Sequence, residues 1–264
     1  MRVKLICCDV FLRITSALVA ASPHTIDVEY VPMLAHNNPD KLRAELQARI
    51  NATLCKGDST ARNYDLLLLL YGLCGNAAVG LTSPIKMIIP RVHDCCTMFM
   101  GSRERFLQEF GNNLSMRWCS SGYYERSYID KEGEGKRFTS GEALSFTSDC
   151  GFSHVFLTNP EYLALAEQYG EDNAQYIWQT LHPEIETPEA AYIRIDGHEV
   201  PGYEDGFKRQ VEAQGKTMRV LKGSTAYLKA MINGPWDNTR FLTVDPGEKI
   251  CAVYDMEQVL KAGV

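Results

Sequence analysis

The residues with most chemistry in them form one run, Arg91-Val92-His93-Asp94-Cys95-Cys96, directly after the apolar segment Ile85 to Pro90. In extended backbone, side chains at i and i+2 point the same way, so His93 and Cys95 are expected on one ridge. An imidazole and a thiolate brought to one point are donors for a soft divalent ion, zinc above all. Three other segments end a predicted strand on the same kind of donor: Cys7-Cys8, the loop carrying His36, and Gly72-Leu73-Cys74-Gly75-Asn76. Cys74, His93 and Cys95 are the expected ligands, with Cys8 and His36 as candidates for a fourth position. Three protein ligands leave a coordination position open, which is a catalytic layout. Neighbouring residues of a strand face opposite ways, so only one of Cys7 and Cys8 can join such a site and the other belongs to the core. Cys150, in Ser148-Asp149-Cys150-Gly151, is a further candidate without a strand end behind it.

Other residues of these segments have two readings each. Arg91 suits an anionic substrate group, or an ion pair at the strand end. Asp94 suits the orientation of a ligand imidazole, or the cap of the helix that follows. Gly72 and Gly75 flank a thiol and allow a cofactor or ligand to approach the backbone closely. They also suit a tight turn around a buried cysteine. Equally, Cys95 and Cys96 suit the start of a buried helix. Cys55, Cys119 and Cys251 read as core or edge residues, and His24, His182 and His198 as solvent-exposed. The chain has no Walker lysine, no dinucleotide glycine spacing, no Gly-x-Ser-x-Gly elbow and no Cys-x-x-Cys pair.

The elements that must position these residues follow from periodicity. Val3 to Val10 reads as a strand, followed by a short apolar helix, Phe11 to Ala21. Thr25 to Val31 alternates and is a second strand. A helix opens at Asn38 or Pro39, with Leu42, Leu46, Ile50 and Leu54 on one face. Asp65 to Tyr71 is a continuous apolar run, as in a strand buried on both faces. Ile85 to Val92 is the fourth strand, Thr97 to Phe110 one helix, and Asn113 to Cys119 a fifth strand. Residues 120–141 turn polar and Gly-rich and read as an excursion or lid. Pro160 to Thr180 reads as a helix. Met218 to Leu221 and Phe241 to Val244 are strands flanking a helix from Thr225 to Ile232, all expected to extend the same sheet. Alternating strands and helices predict a single α/β domain over residues 1–264. Its sheet is expected to be doubly wound, mostly parallel and Rossmann-like, with helices on both faces. In such a sheet ligands bind beyond the carboxyl ends of the strands, where every donor singled out above falls.

Bulk properties narrow the class further. The 264 residues are 45% hydrophobic and 10% aromatic, enough for a folded core. A net charge of -6 gives no electrostatic case for nucleic acid. No apolar run is long enough for a membrane span, and Asp9 and Arg13 interrupt the apolar stretch a signal segment would need. Nine cysteines, an odd count, are expected as reduced thiols in the cytoplasm.

Taken together, Leu70-Tyr71-Gly72-Leu73-Cys74-Gly75, Ile89-Pro90-Arg91-Val92-His93-Asp94-Cys95 and Met100-Gly101-Ser102 resemble the core motifs of the uncharacterised family "domain of unknown function 1638". The resemblance extends to Cys8-Asp9-Val10, to Leu34-Ala35-His36-Asn37-Asn38-Pro39, and to Trp236-Asp237 with Phe241 to Gly247. The sequence departs in Asp9, where glutamate is more usual, and in the Gly-poor loop after Cys74. The resemblance implies a setting in methyl-group or one-carbon metabolism, beside corrinoid proteins and methyltransferases. Three functions are therefore expected. In the first, a zinc-thiolate protein activates a thiol or water on a small-molecule substrate, as a metal-dependent methyltransferase or lyase-type enzyme. In the second, an iron–sulfur protein has Cys8, Cys74 and Cys95 as ligands and one open iron. In the third, a non-enzymatic accessory serves a corrinoid protein or methyltransferase.

Overall fold

The structure is a computed structural model, which describes residues 1–33, 39–54, 63–111, 116–129, 166–167, 188–253 and 258–263. The chain opens with β1 (Arg2–Cys8), a short 3-10 turn (Asp9–Phe11), α1 (Leu12–Ala20), β2 (Thr25–Val31) and α2 (Pro39–Asn51). β3 (Leu66–Leu70) and β4 (Met87–Pro90) follow. β3 is five leucines, all buried, and β4 is buried throughout, as strands covered on both faces must be. With β8 (Phe241–Val244), which comes later in the chain, these strands form a sheet in the order β2-β1-β3-β4-β8. β1 pairs in parallel with β2 and β3, and β3 in parallel with β4. β8 closes the far edge antiparallel to β4. The chain therefore steps from β1 outward to β2 and back across β1 to β3. Right-handed crossovers then place α1 and α2 on opposite faces. This is the expected doubly wound, mostly parallel α/β sheet.

Two expectations need correcting. Residues 97–110 are two helices, α3 (Cys95–Met100) and α4 (Arg103–Phe110). Gly101 takes φ +85° and ends α3, and the Ser102 hydroxyl accepts the Arg105 N–H to open α4. The fifth strand and the strand at 217–222 do not extend the first sheet. β5 (Arg117–Ser120), β6 (Glu189–Arg194) and β7 (Thr217–Lys222) form a second, three-stranded sheet, parallel throughout. The expected helix at 160–180 lies outside the described residues except for Ala166 and Glu167, which are helical.

The polar stretch after β5 begins as a helix, α5 (Ser121–Ile129), and residues 130–141 lie outside the described residues. α5 buries Tyr124 in a second core with Cys119, Ala190, Tyr192, Phe207 and Val211, under α6 (Tyr203–Ala213). The other face of the second sheet, through Trp118, Ala191, Ile193 and Leu221, joins the core of the first. α5 also packs on the 3-10 turn after β1. There Arg13 makes two bonds to the Glu125 carboxylate, at 2.7 and 3.2 Å. A narrow cleft runs along this joint between Val10 and Ile14 on one side and Ser121, Ile193 and Glu199 on the other. After β7 comes α7 (Ala226–Asn233), which packs against α1 and β3. β9 (Lys249–Ala252) and β10 (Leu260–Gly263) form an antiparallel hairpin.

Candidate functional site

The carboxyl ends of β1, β3 and β4 lie side by side, and the thiols stand on all three. Cys8 ends β1 and is 4% exposed, while Cys7 faces the core and is fully buried. Beyond β3 the chain keeps its pairing with the strand beside it. The Leu73 N–H donates to the Val92 carbonyl and the Cys74 N–H to the His93 carbonyl, both at 2.9 Å. Gly72 makes this approach possible: a Cβ there would stand 2.8 Å from the Val92 oxygen, 2.9 Å from the His93 oxygen and 3.0 Å from the Asp94 nitrogen. The loop carrying Cys74 is thereby held against the run carrying His93 and Cys95.

Cys74, Gly75 and Asn76 have φ of +46°, +63° and +65°. Three consecutive left-handed residues, two of them with a Cβ, form a strained turn. Such conformations persist only where the surrounding structure over-determines them. The Arg43 guanidinium steadies the turn by donating to the Asn76 carbonyl at 2.8 Å. In metal-free protein, Cys74→Gly should be more stable than Cys74→Ala by about 1 kcal/mol, because alanine keeps the strain and glycine relieves it. Urea unfolding of the two variants measures this, and an alanine variant of equal or greater stability would contradict it.

The ridge expected for His93 and Cys95 ends one residue early. Asp94 is extended, at φ -149° and ψ -179°, but Cys95 is already the first residue of α3. The Asp94 carboxylate caps that helix, accepting the Thr97 N–H at 3.4 Å. Cys95 instead turns to a partner that sequence reasoning missed. Its sulfur lies 3.0 Å from the Tyr123 hydroxyl, which α5 brings across from the second sheet. The Tyr123 ring meets Trp118 edge-on at 4.5 Å. Nothing in a polar, Gly-rich stretch signalled Tyr123. Tyr71, 1% exposed at the end of β3, is the other missed neighbour.

Electrostatics bring these groups into one neighbourhood. Burial pushes the Cys8 thiol well above its ordinary range, and negative charge on Cys95 would push it further. Burial likewise raises Cys95, with Asp94 and Cys74 adding to it. Burial pushes the Cys74 thiol up to about 12. The Tyr71 hydroxyl is raised by burial and then by Cys8, Cys7 and Cys74. Burial also raises the Asp94 carboxyl to about 6, against the Thr97 and Cys96 N–H groups that lower it. The three thiols are thus neutral at pH 7, and ionising any one opposes ionising the next.

His93 stands at the outer end of this row. Burial pushes its imidazole down to about 4, helped by the charge of Arg103, so the ring is neutral. Both ring nitrogens are buried without a hydrogen-bond partner. The Arg91 guanidinium is turned to the C-terminal hairpin, donating to the carbonyls of Gln258, at 3.0 Å, and Leu260. His36 and Cys150 lie outside the described residues. Of the histidines read as exposed, His24 is half-buried with its Nε2 3.3 Å from the Asn233 carbonyl oxygen, and His198 is also half-buried. Among the described residues, no three His, Cys, Asp or Glu side chains are grouped closely enough to hold a metal ion as they stand. No helix among the described residues is long and apolar enough to cross a membrane.

Comparison with known proteins returns one family. The family model described as "Protein of unknown function (DUF1638)" matches residues 30–232, more than half of the chain. No curated protein and no solved structure matches.

Proposed function

Because the chain belongs to the family DUF1638, of unknown function, it inherits a set of positions and no reaction, and on that premise we propose that Cys8, Cys74 and Cys95 bind a soft metal ion, zinc in the first place. The observation that carries this reading is the arrival of three thiols, Cys8 and Cys95 buried and Cys74 half-buried, from three separate strand ends at one edge of a doubly wound sheet. A single core cysteine behaves as a small hydrophobe. Three that oppose one another's ionisation form a set whose protons a soft cation displaces. Their donor chemistry fits zinc, although the sulfurs must draw closer together than they now stand. His36 remains a candidate for a fourth ligand. The Tyr123 hydroxyl is placed to donate to the Cys95 sulfur and moderate its charge.

Bound there, such an ion activates a thiol or a water. A role in methyl-group or one-carbon metabolism, with a corrinoid protein or methyltransferase as partner, rests on the family resemblance. Elemental analysis of protein purified without oxygen tests the reading. The native chain should carry about one zinc, and Cys74→Ala and Cys95→Ala should each retain only a small fraction of it while remaining folded by circular dichroism. Native protein that is folded and carries no metal as purified would sink the proposal.

A second reading has its own observation. The mutually influencing set consists of thiols, with no imidazole among them, which suits an iron–sulfur cluster held by three cysteines with one iron open. Brown protein with visible absorption, and iron and acid-labile sulfide in place of zinc, would select it.

A further inference from the structure

The second sheet brings its own carboxyl ends to the joint with the first. Val10 follows the end of β1, Phe99 lies in the helix after β4, Ser120 ends β5, and Ile195 and Glu199 follow β6. All of them line the cleft at that joint. Ligands of parallel sheets bind beyond such ends, so the cleft combines the binding edges of both sheets. It also adjoins the thiols along the chain, since Val10 follows Cys8 closely and Phe99 stands one helical turn beyond Cys95. One wall is aliphatic and aromatic, through Val10, Ile14, Phe99, Ile193 and Ile195. The other carries Ser121 and Glu199. The space between them suits a group of about the size of one water molecule.

The polar wall is built to accept. The Glu199 carboxylate takes the Ser121 hydroxyl at 2.7 Å, the Tyr192 hydroxyl at 2.9 Å and the Ile195 N–H at 2.7 Å. All three donors are neutral, and among the described residues no arginine, lysine or histidine forms an ion pair with this carboxylate. The charged groups around it are already matched. Arg13, which also lines the cleft, is held by Glu125, and Arg126 stands 3.7 Å from Asp9. Arg194 is held by Glu204, and Lys222 stands 3.6 Å from Asp196. Glu199 is the acid left over. With its proton given to the carboxylate, the Ser121 oxygen keeps lone pairs and is a second acceptor. A cation with N–H donors and a head of about the size of a water molecule answers this wall. We propose that Ser121 and Glu199, with Tyr192 holding the carboxylate from behind, bind the primary ammonium group of a small aliphatic amine. The apolar wall takes its carbon chain. The site contains no thiol and needs no metal.

Calorimetric titration of n-butylammonium chloride into metal-free protein at pH 7 tests this. Ammonium chloride is the second arm, and tetramethylammonium chloride and potassium chloride are the controls. Saturable binding of n-butylammonium is expected, tighter than that of the bare ammonium ion because of the apolar wall. Tetramethylammonium has the charge without an N–H, and potassium the charge without a direction, so both should bind at least tenfold more weakly. Glu199→Gln keeps the shape and removes the charge, and should weaken n-butylammonium roughly tenfold or more. Ser121→Ala removes one acceptor at the start of α5 and should weaken it several-fold, which keeps the test open should Glu199→Gln misfold by circular dichroism. Four results would each overturn the proposal: no saturable binding, binding indifferent to the substitutions in folded protein, ammonium ion binding tighter than the alkylammonium, or either control binding as tightly. Since the titration uses metal-free protein, its failure and the failure of the metal reading are separate results.

Discussion

Gly122→Ala should cost roughly 3 kcal/mol or more and loosen the joint between the two sheets. A Cβ on Gly122 would stand 1.9 Å from the Val10 carbonyl oxygen and 3.0 Å from its carbon. Neither partner can swing aside as a side chain would. Val10 sits in the 3-10 turn that links β1 to α1, and Gly122 in the first turn of α5. One backbone must shift, and with it the Arg13–Glu125 pair. The next residue, Tyr123, would be drawn from Cys95. Urea unfolding followed by tryptophan fluorescence reads the stability, and the rate of Cys95 alkylation reads the uncovered thiol. A loss of stability below about 0.5 kcal/mol, the size of an ordinary surface substitution, would contradict the close approach.

Gly72→Ala should cost about 2–3 kcal/mol and, if the proposed metal site is occupied, abolish metal retention together with it. The added carbon meets three backbone atoms of the facing run, those of Val92, His93 and Asp94. To make room, the loop must leave that run, breaking the bonds from Leu73 to Val92 and from Cys74 to His93. Cys74 would then no longer be held beside Cys95. Comparison with Cys74→Ala separates the two losses, because that variant removes the ligand and keeps both backbone bonds. The expected order is unequal stability and equally poor metal retention. A Gly72→Ala protein with native stability and full metal would refute the account of how the site is held.

The first sheet was largely legible in the residues. Alternation in Thr25 to Val31 and the unbroken leucines of Leu66 to Leu70 are local signals of a strand and of a doubly covered strand, and both stand as read. The edge on which the donors collect followed from the alternation of strands and helices. The second sheet was not legible, because β5 to β7 resemble any short parallel strands and nothing local states which sheet a strand joins. The break at Gly101-Ser102 was written in the residues as a glycine stop and a serine cap, but the spacing of Phe99, Phe106 and Phe110 masks it. Tyr123 escaped for a related reason. Its importance comes from a contact with Cys95, which only the packing of α5 against the 3-10 turn after β1 creates. The direction of Arg91 was equally hidden, since its acceptors are main-chain carbonyls of a distant hairpin.

The antiparallel strand at the far edge has a consequence for how the chain is made. β8 pairs with β4 only after the whole second sheet and its helices have been synthesised, since Pro90 waits for Phe241. At ordinary elongation rates that interval is on the order of ten to thirty seconds. Throughout it, β4 offers the backbone donors and acceptors of an unpaired, wholly apolar strand. Arg240 arrives with β8, so the carbonyl that accepts the Arg91 N–H is also supplied late on the ribosome. A nascent chain released before Phe241 would retain Cys8, Cys74 and Cys95, but would expose the sticky edge of β4 that β8 covers in the finished protein.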